Sequence, residues 1–545
     1  MNVVTAAKAA QLVNSGDTVA ICGVVSLLST EAVLAALEAR FGTDGTPRDL
    51  TVISPCRTGW SAAGATTGLE HLAGKGMVRR LIASSHNVRD TPKLIGAAMV
   101  NDIQTYVLPM GVMFRWMREC AARSPGLLTR VGMETYFDPA SPQAGDIRAH
   151  PDAELLNLVR RVDLAGEECL FVRSMEIDVA IVRGSVADED GNISLEDEPI
   201  DGGVRHMALA AHTCGGRVIA VVKRRVGRGA IPPRQVEIPG IWVDAVVVDD
   251  SAIQTQIGYE PAFTNARQRA PNPLPMPLDH QKIILRRAAM ELAEGDVVNL
   301  GVGIGSQLPA IAAEEGFLDS LTFSVEHGAL GGVPAMGVPG QTGAFGAHFS
   351  PQAIMDSADL LDFYHGGGLD ATLLGFAQID GSGSVNVARF NGAIRGPGGF
   401  VDITFRTRKL LLCGTLTSGS LAVAIEADAA GVPRLRIEHE GRHKKLLLAI
   451  EQINLHGPTA FARGAHMRVI TERCVFALDE HGLVLIEVAP GIDIDTQIRP
   501  HVGFALRVAP DCRAMDARLF KAEPMQFSLC PRSLINAGNH RPKDA

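Results

Sequence analysis

The sequence predicts two similar open α/β domains with mostly parallel sheets, and three observations carry that expectation. The chain has 545 residues, beyond the size at which a single hydrophobic core keeps growing. Short continuous apolar runs, IWVDAVVVDD at 241–250 and KLLLCGTLT at 409–417, have the pattern of strands buried on both faces in parallel sheets. One opening phrase also occurs twice, as GDTVAICGVVSLLSTEAVLAALE at 16–38 and as GDVVNLGVGIGSQLPAIAAEEG at 295–316.

In each copy, Gly-Asp leads into a β-branched apolar strand, then a glycine, then an alanine-rich helix. A second echo pairs VAIVRGSVADEDGNISLEDE at 179–198 with ATLLGFAQIDGSGSVNVARF at 371–390. Each reads as an apolar strand, an Asp/Gly turn and a polar return strand. Between the copies, TNARQRAPNPLPMPLDHQ at 264–281 places four prolines in seven positions, which neither a helix nor a central strand tolerates. The expected organisation is a first domain over 1–263, a linker over 264–281, a second domain over 282–521 and a less patterned tail over 522–545.

Composition narrows the function. A hydrophobic fraction of 46% with 20% charged residues fits folded domains with large cores. The longest apolar runs, such as LLLAI at 446–450, fall far short of the roughly 18 residues of a membrane span. The amino terminus, MNVVTAAKAAQLVNSGD, lacks an apolar signal region and an Arg-rich targeting stretch, so a cytoplasmic location is expected. Nine scattered cysteines, none in C-x-x-C spacing, read as reduced thiols rather than a metal cluster or disulfide frame. A formal net charge of −9 provides no basic footprint for nucleic acid and none for an anionic membrane. Neither a metal nor a tightly bound cofactor is expected.

The 57 glycines exceed the usual fraction of about 7% and are clustered. LGVGIGS at 300–306 follows the strand DVVNL and precedes a helix, where exposed amides and a helix amino terminus favour an anion. Gly301, Gly303 and an acid about 20 residues on also fit a dinucleotide fingerprint, which keeps an NAD(P)-dependent oxidoreductase open. Ser306 stands where that fingerprint has its last glycine. The acid is Glu326, in FSVEHGALGGVPAMGVPG at 323–340, with no other acid between Asp319 and Asp356. A lone carboxylate at the carboxyl end of a strand, among glycines, can attack an activated acyl group when donors stabilise the oxyanion. FYHGGGLD at 363–370 and RGPGGFVDI at 395–403 are the candidate sources of those donors.

SVEHGALGGVPAMG, DFYHGGGLD, GSGSVNVARFNG, GPGGFVDIT, CGTLTSG, EGRHKK, ITERCVFAL and IEVAPGIDIDTQI occur in this order. So do TPRDLTVISP, VGMETYFDP and EIPGIWVDAVVVD in the first half. As a set they resemble the acetate/propionate CoA-transferase family, of the glutamate-dependent class, over roughly residues 10–520. The resemblance implies a duplicated CoA-transferase fold and transfer of coenzyme A from an acyl-CoA to a free carboxylic acid. Glu326 matches the family's nucleophile, and the implied ping-pong route passes through a glutamyl-CoA thioester. By the same resemblance Gly398 and Gly399 lie near the reacting carbonyl, and Gly301, Val302, Gly303, Ile304 and Gly305 line the coenzyme A site. Coenzyme A is then a substrate, and the partners are an acyl-CoA and a small carboxylic acid.

Three positions depart from the family pattern. Where relatives carry Pro-Gln-Gly, with the glutamine in the oxyanion hole, this chain has Pro109, Met110 and Gly111, and a thioether donates no hydrogen bond. A glycine-rich first-half loop is replaced by VVSLLSTE, which keeps Gly23 and Glu31. His327 follows the nucleophile where a small or amide residue is usual; it is either a bystander or a group that polarises a substrate carboxylate. The loop and Met110 together point to an apolar acyl pocket. Two further readings stand beside transfer to a free acid: a non-catalytic acyl-CoA-binding paralogue, and the transferase part of a lyase or decarboxylase. A homo-oligomer is expected from the general prior for symmetric assembly. Arg406, Arg408 and Lys409 are candidates for the coenzyme A phosphates or for solvated surface.

Overall fold

The computed structural model describes residues 2–60, 64–86, 90–141, 158–268, 271, 273–338, 340–390 and 393–531. The first half begins with β1 (Thr18–Ile21) and α1 (Glu31–Asp44), followed by β2 (Leu50–Ser54), β3 (Val78–Ala83) and β4 (Gln104–Val107). Then come α2 (Met110–Ala121), β5 (Val179–Ala187), α3 (Val204–Thr213), β6 (Arg217–Arg225) and β7 (Ala245–Val248). These strands form one sheet in the order β7-β6-β5-β1-β2-β3-β4, all parallel. Ile193–Ser194 returns antiparallel on β5, which is the expected hairpin.

The second half repeats the plan. It contains α4 (His280–Ala289), β8 (Val297–Leu300), α5 (Leu308–Glu315), β9 (Thr322–Ser324), α6 (Ser357–His365), β10 (Ala371–Leu374), α7 (Phe400–Thr404), β11 (Lys409–Cys413) and β12 (His466–Ile470). Strands β9-β8-β10-β11-β12 are parallel neighbours. Antiparallel β13 (Cys474–Asp479) and β14 (Gly482–Val488) then extend the sheet, with β15 (Val508–Ala514) at its edge. The order β2-β1-β5-β6-β7 in one half corresponds to β9-β8-β10-β11-β12 in the other. The twofold echo in the sequence is therefore an echo of topology.

The proline-rich segment ends where Asp279 caps α4, its carboxylate accepting the Gln281 and Lys282 amides. Beyond Phe520 the chain stays on the second half: Arg286 donates to the carbonyls of Lys521 and Glu523, and Glu315 accepts the Met525 amide. The rest of the predicted tail, 532–545, lies outside the described residues. The halves share apolar packing through α2, whose Val112, Met113, Phe114, Trp116 and Met117 are buried in one cluster with Ala358 and Val401 of the second half. At about 1.5–3 kcal/mol per fully buried large apolar side chain, this packing fixes α2 firmly against α6 and α7. Among the described residues, no helix is long and apolar enough to cross a membrane.

Candidate active site

In a parallel sheet, ligands sit at the carboxyl ends of the strands. Glu326 lies two residues past the end of β9, at that edge, with 9% of its surface exposed. Its neighbour in the sheet, β8, contributes Asn299, a fully buried amide whose Nδ2 is 3.4 Å from Glu326 Oε2. Thr372 donates to Asn299 Oδ1 at 3.2 Å, and Nδ2 also lies 3.4 Å from the Tyr364 hydroxyl, which bonds Ser324. The amide is thus held from the two neighbouring strands, β9 and β10, and from α6. Burial pushes the Glu326 carboxyl above the usual carboxylate range; its own backbone N–H and Asn299 oppose the rise, and Asp402 adds to it. A carboxylate that is hard to ionise is also weakly solvated, which suits a nucleophile once the proton is gone.

Gly399 closes over this group. A methyl at its Cα would stand 3.1 Å from Glu326 Cγ, 3.3 Å from its carboxyl carbon and 3.0 Å from the Met110 methyl. A side chain here would crowd Glu326 and Met110, and glycine lets the backbone approach the carboxyl without that crowding. Gly398 has a left-handed φ of +57°. Its amide donates to the Ser84 carbonyl at 3.0 Å, and its own carbonyl accepts the Met110 amide at 3.1 Å. The Gly398 N–H is thus occupied, whereas the Gly399 N–H has no partner among the described residues. Of the two, Gly399 has the amide that can meet an oxyanion.

Met110, the first residue of α2, is buried, and its sulfur lies 3.0 Å from Cys56 Sγ. Cys56 follows β2 by two residues, so it occupies in the first half the position that Glu326 occupies in the second. Burial drives its thiol well above the usual range, with the Glu326 charge adding to the rise. His327 Nδ1 is 3.8 Å from Cys56 Sγ, and its ring meets Phe345 edge-on with centroids 5.2 Å apart. Burial, and then His348, lower the His327 pKa to about 3. A neutral imidazole at pH 7 fits the bystander reading of His327 better than the alternative, polarisation of a substrate carboxylate. The VVSLL loop is inside the same region: Leu27 and Leu28 are fully buried, and Ser26 Oγ donates to the Gly343 carbonyl at 3.2 Å. Val25 and Leu28 take φ of +55° and +52°, the conformation that glycine adopts freely and a β-branched residue rarely. Two non-glycine residues of this loop thus hold a conformation that glycine favours. Glu31 is structural, accepting the Gly68 amide at 2.7 Å and facing His71 at 3.1 Å.

The GVGIG loop leaves β8 next to β10. Gly301 donates to the Leu373 carbonyl at 2.9 Å, and a Cβ at Gly305 would stand 2.4 Å from that same oxygen. Gly303 has open space around its Cα, Val302 is exposed, and Ile304 is partly buried against the second-half core. FYHGGGLD is not where the sequence reading put it. Gly366, Gly367 and Gly368 follow α6 and precede β10, which places them at the amino edge of the sheet, opposite Glu326. Arg408 and Lys409 are at that same edge, paired with Asp370 at 3.2 Å and Asp296 at 2.9 Å. Sequence reasoning also missed Asn299 and Asp402. An amide alone in the apolar strand DVVNL is the signal that could have found Asn299. Among the described residues, no group of three or more His, Cys, Asp or Glu side chains is placed to hold a metal ion.

A duplicated, largely parallel α/β fold with a buried glutamate beside a glycine backbone at one carboxyl edge is a layout that can support acyl transfer. Residues 3–249 match the model of the family described as coenzyme A transferase. The acetate CoA-transferase YdiF of Escherichia coli K12 is 36% identical over 509 residues, which is 92% of each chain. The caffeate CoA-transferase of Acetobacterium woodii is 37% identical over 530 residues, 95% of this chain and 97% of that one. The crystal structure of the YdiF apoenzyme from E. coli O157:H7 superposes with a TM-score of 0.88 at 33% identity, covering 97% of this chain and 98% of the other. A second structure of that enzyme, its thioester complex with CoA, gives the same score and coverage. The chain belongs to the coenzyme A transferase family. It is an acyl-CoA:carboxylate CoA-transferase with coenzyme A as a substrate, and the oxidoreductase reading of GVGIGS falls away.

Proposed function

We propose that Glu326 is the nucleophile of CoA transfer. Its carboxylate oxygen attacks the thioester carbonyl of the donor, the C–S bond breaks, and coenzyme A leaves as a thiolate with an acyl-glutamyl anhydride in place. The thiolate then attacks the glutamyl carbonyl, releasing the donor's carboxylate and leaving coenzyme A on Glu326. An incoming carboxylate reverses the sequence and departs as the new acyl-CoA. Exchange of one thioester for another is close to balanced, so the work of the site is positioning and charge stabilisation. In this reading the Gly399 amide faces the oxyanion, Gly398 shapes the turn before it, and Gly301–Gly305 lie along the bound coenzyme A.

The observation that carries the reading is the closeness of Gly399 to Glu326, such that a Cβ added there would stand 3.3 Å from the carboxyl carbon; the thioester complex formed by the E. coli relative supports it. The test is transfer of coenzyme A from acetyl-CoA to a labelled carboxylate by wild type and Glu326→Gln. A loss of at least about 10³-fold is expected for removal of a nucleophile. Retained exchange would overturn the assignment and place the attack on another group.

Met110, Cys56 and Phe345, beside a neutral His327, support an acceptor with an apolar or aromatic body over acetate. Relatives act on both kinds of acid, being named for acetate and caffeate. A higher kcat/KM for butyrate or cinnamate than for acetate would bear this out, and the reverse order would overturn it. We further propose domains over 1–263 and 282–521, a cytoplasmic location consistent with free thiols throughout, and a homo-oligomer, which light scattering on the purified protein would decide.

A further inference from the structure

We propose that Asp402 is a positioning residue that clamps the oxyanion loop of the second half to the first half, so that the Gly399 amide and Glu326 keep their register during attack. The proposal rests on the reading of Glu326 as nucleophile. Asp402 is on α7, three residues after Gly399, and is completely buried. Its Oδ2 accepts the Gly111 amide at 2.9 Å, across 291 positions of sequence and across the boundary between the halves. Its Oδ1 lies 3.0 Å from His365 Nε2 on α6.

His365 Nδ1 in turn lies 3.3 Å from Arg115 Nη1. A guanidinium can only donate, so Nδ1 is the acceptor and the Nε2–H is directed at Asp402. Arg115 is fixed by Asp362, with Nε 2.7 Å from Oδ1. The carboxylate is therefore buried with a donor on each oxygen, one from each half, and its orientation is determined. The second tie runs beside it, from the Met110 amide to the Gly398 carbonyl at 3.1 Å.

Two consecutive amides at the start of α2 thus grip both ends of the segment Gly398–Asp402, and Gly399 lies inside that segment. Gly111 has no room for a side chain, since a Cβ would meet Leu361 Cδ1 at 2.6 Å and Asp402 Oδ1 at 2.7 Å. The clamp closes only because that position is glycine. Without it the hydrogen bonds that tie this loop to the first half among the described residues all lie on the amino side of Gly399: Met110 amide to Gly398 carbonyl, Gly398 amide to Ser84 carbonyl and His86 amide to Arg395 carbonyl.

The experiment compares wild type, Asp402→Asn, Asp402→Ala, His365→Gln and His365→Ala. Acetyl-CoA is mixed with each protein, and the rate and final extent of CoA attachment to the Glu326 peptide are followed by mass spectrometry alongside steady-state kcat and KM. Asparagine keeps the acceptor for Gly111 but places a donor against His365, whereas alanine removes both ties. Attachment is expected to reach the wild-type extent in all variants, slowed about tenfold in Asp402→Asn and about 10²-fold in Asp402→Ala, the loss that misplacement by about 1 Å produces. KM for acetyl-CoA is expected to stay within about twofold of wild type. Glutamine at 365 restores an N–H toward Asp402, so His365→Gln should recover most of the rate lost in His365→Ala. Wild-type attachment rates in both Asp402 variants would overturn the clamp, as would equal rates in the two His365 variants. Absence of attachment in wild type would overturn the Glu326 reading itself.

Discussion

Replacing Gly399 by alanine tests how closely backbone and nucleophile are fitted. The residue has φ −85° and ψ 0°, which alanine adopts without strain, so the effect is confined to the added methyl. That methyl stands 3.1 Å and 3.3 Å from Glu326 Cγ and carboxyl carbon and 3.0 Å from the Met110 methyl. Relaxed carbon contacts lie at about 3.5–4.0 Å, so Glu326, Met110 or the loop must give by about half an ångström. If about 1 Å of misplacement costs about 10²-fold, half of it costs about tenfold in kcat. The contacts are with the ends of flexible side chains, so overpacking should cost about 1 kcal/mol, the low end of its range. The assay is kcat, KM and the single-turnover rate of CoA attachment. Adding Met110→Ala should return part of the loss, because one of the two obstructed neighbours is removed. Wild-type kcat in Gly399→Ala would refute the placement of this backbone against the nucleophile.

Met110→Gln places an amide where the thioether now meets Gly399, and turnover should rise by up to the 10²–10³-fold that one oxyanion donor is worth; unchanged kcat would show that the Gly399 amide suffices. In the proposed reading Glu326 attacks in its ionised form, and its carboxyl is raised, so kcat/KM should fall on acidification at a pH above the usual carboxylate range. The groups facing it are Asn299, Cys56, Tyr364 and Asp402, and Asp402→Asn should move that limb to lower pH. Stability has the opposite sign. The unfolded chain releases the Glu326 proton first, so the folded state loses stability as pH rises towards the folded pKa, and Glu326→Gln should raise Tm at pH 8. Asp201 accepts the Gly203 and Ser357 amides at 2.7 and 3.1 Å, with its carboxyl pushed up to about 8 by burial and then by Asp356 and Glu237. Asparagine can keep both bonds, so Asp201→Asn should be more stable than wild type at pH 9 and little different near pH 4, as thermal unfolding would show.

The duplication and the position of Glu326 at a carboxyl edge were legible because they depend on local pattern. A β-branched run, an acid and glycines in that order put Glu326 at the carboxyl end of a strand whichever strands flank it. FYHGGGLD was misplaced because its glycines precede their strand, and a glycine before a parallel strand belongs to the opposite edge. The order of the two features holds that information, whereas glycine content does not. His327 was legible as a neighbour of the nucleophile, but its protonation is set by Cys56, Phe345 and His348 packed around it, contacts that no local window contains. Asp402 was hidden for a similar reason, since its meaning depends on Gly111 in the other half. Met110 was read as a missing donor; the structure adds that it forms part of the wall against which Gly399 and Glu326 are fitted.

The most direct measurement is the mass of the Glu326 peptide after incubation with acetyl-CoA and rapid proteolysis at acidic pH. Nucleophilic attack by Glu326 predicts a peptide heavier by one coenzyme A less one water, reversed by added acetate and absent from Glu326→Gln. An active enzyme whose Glu326 peptide stays unmodified, or a Glu326→Gln protein that still acquires coenzyme A, would contradict it.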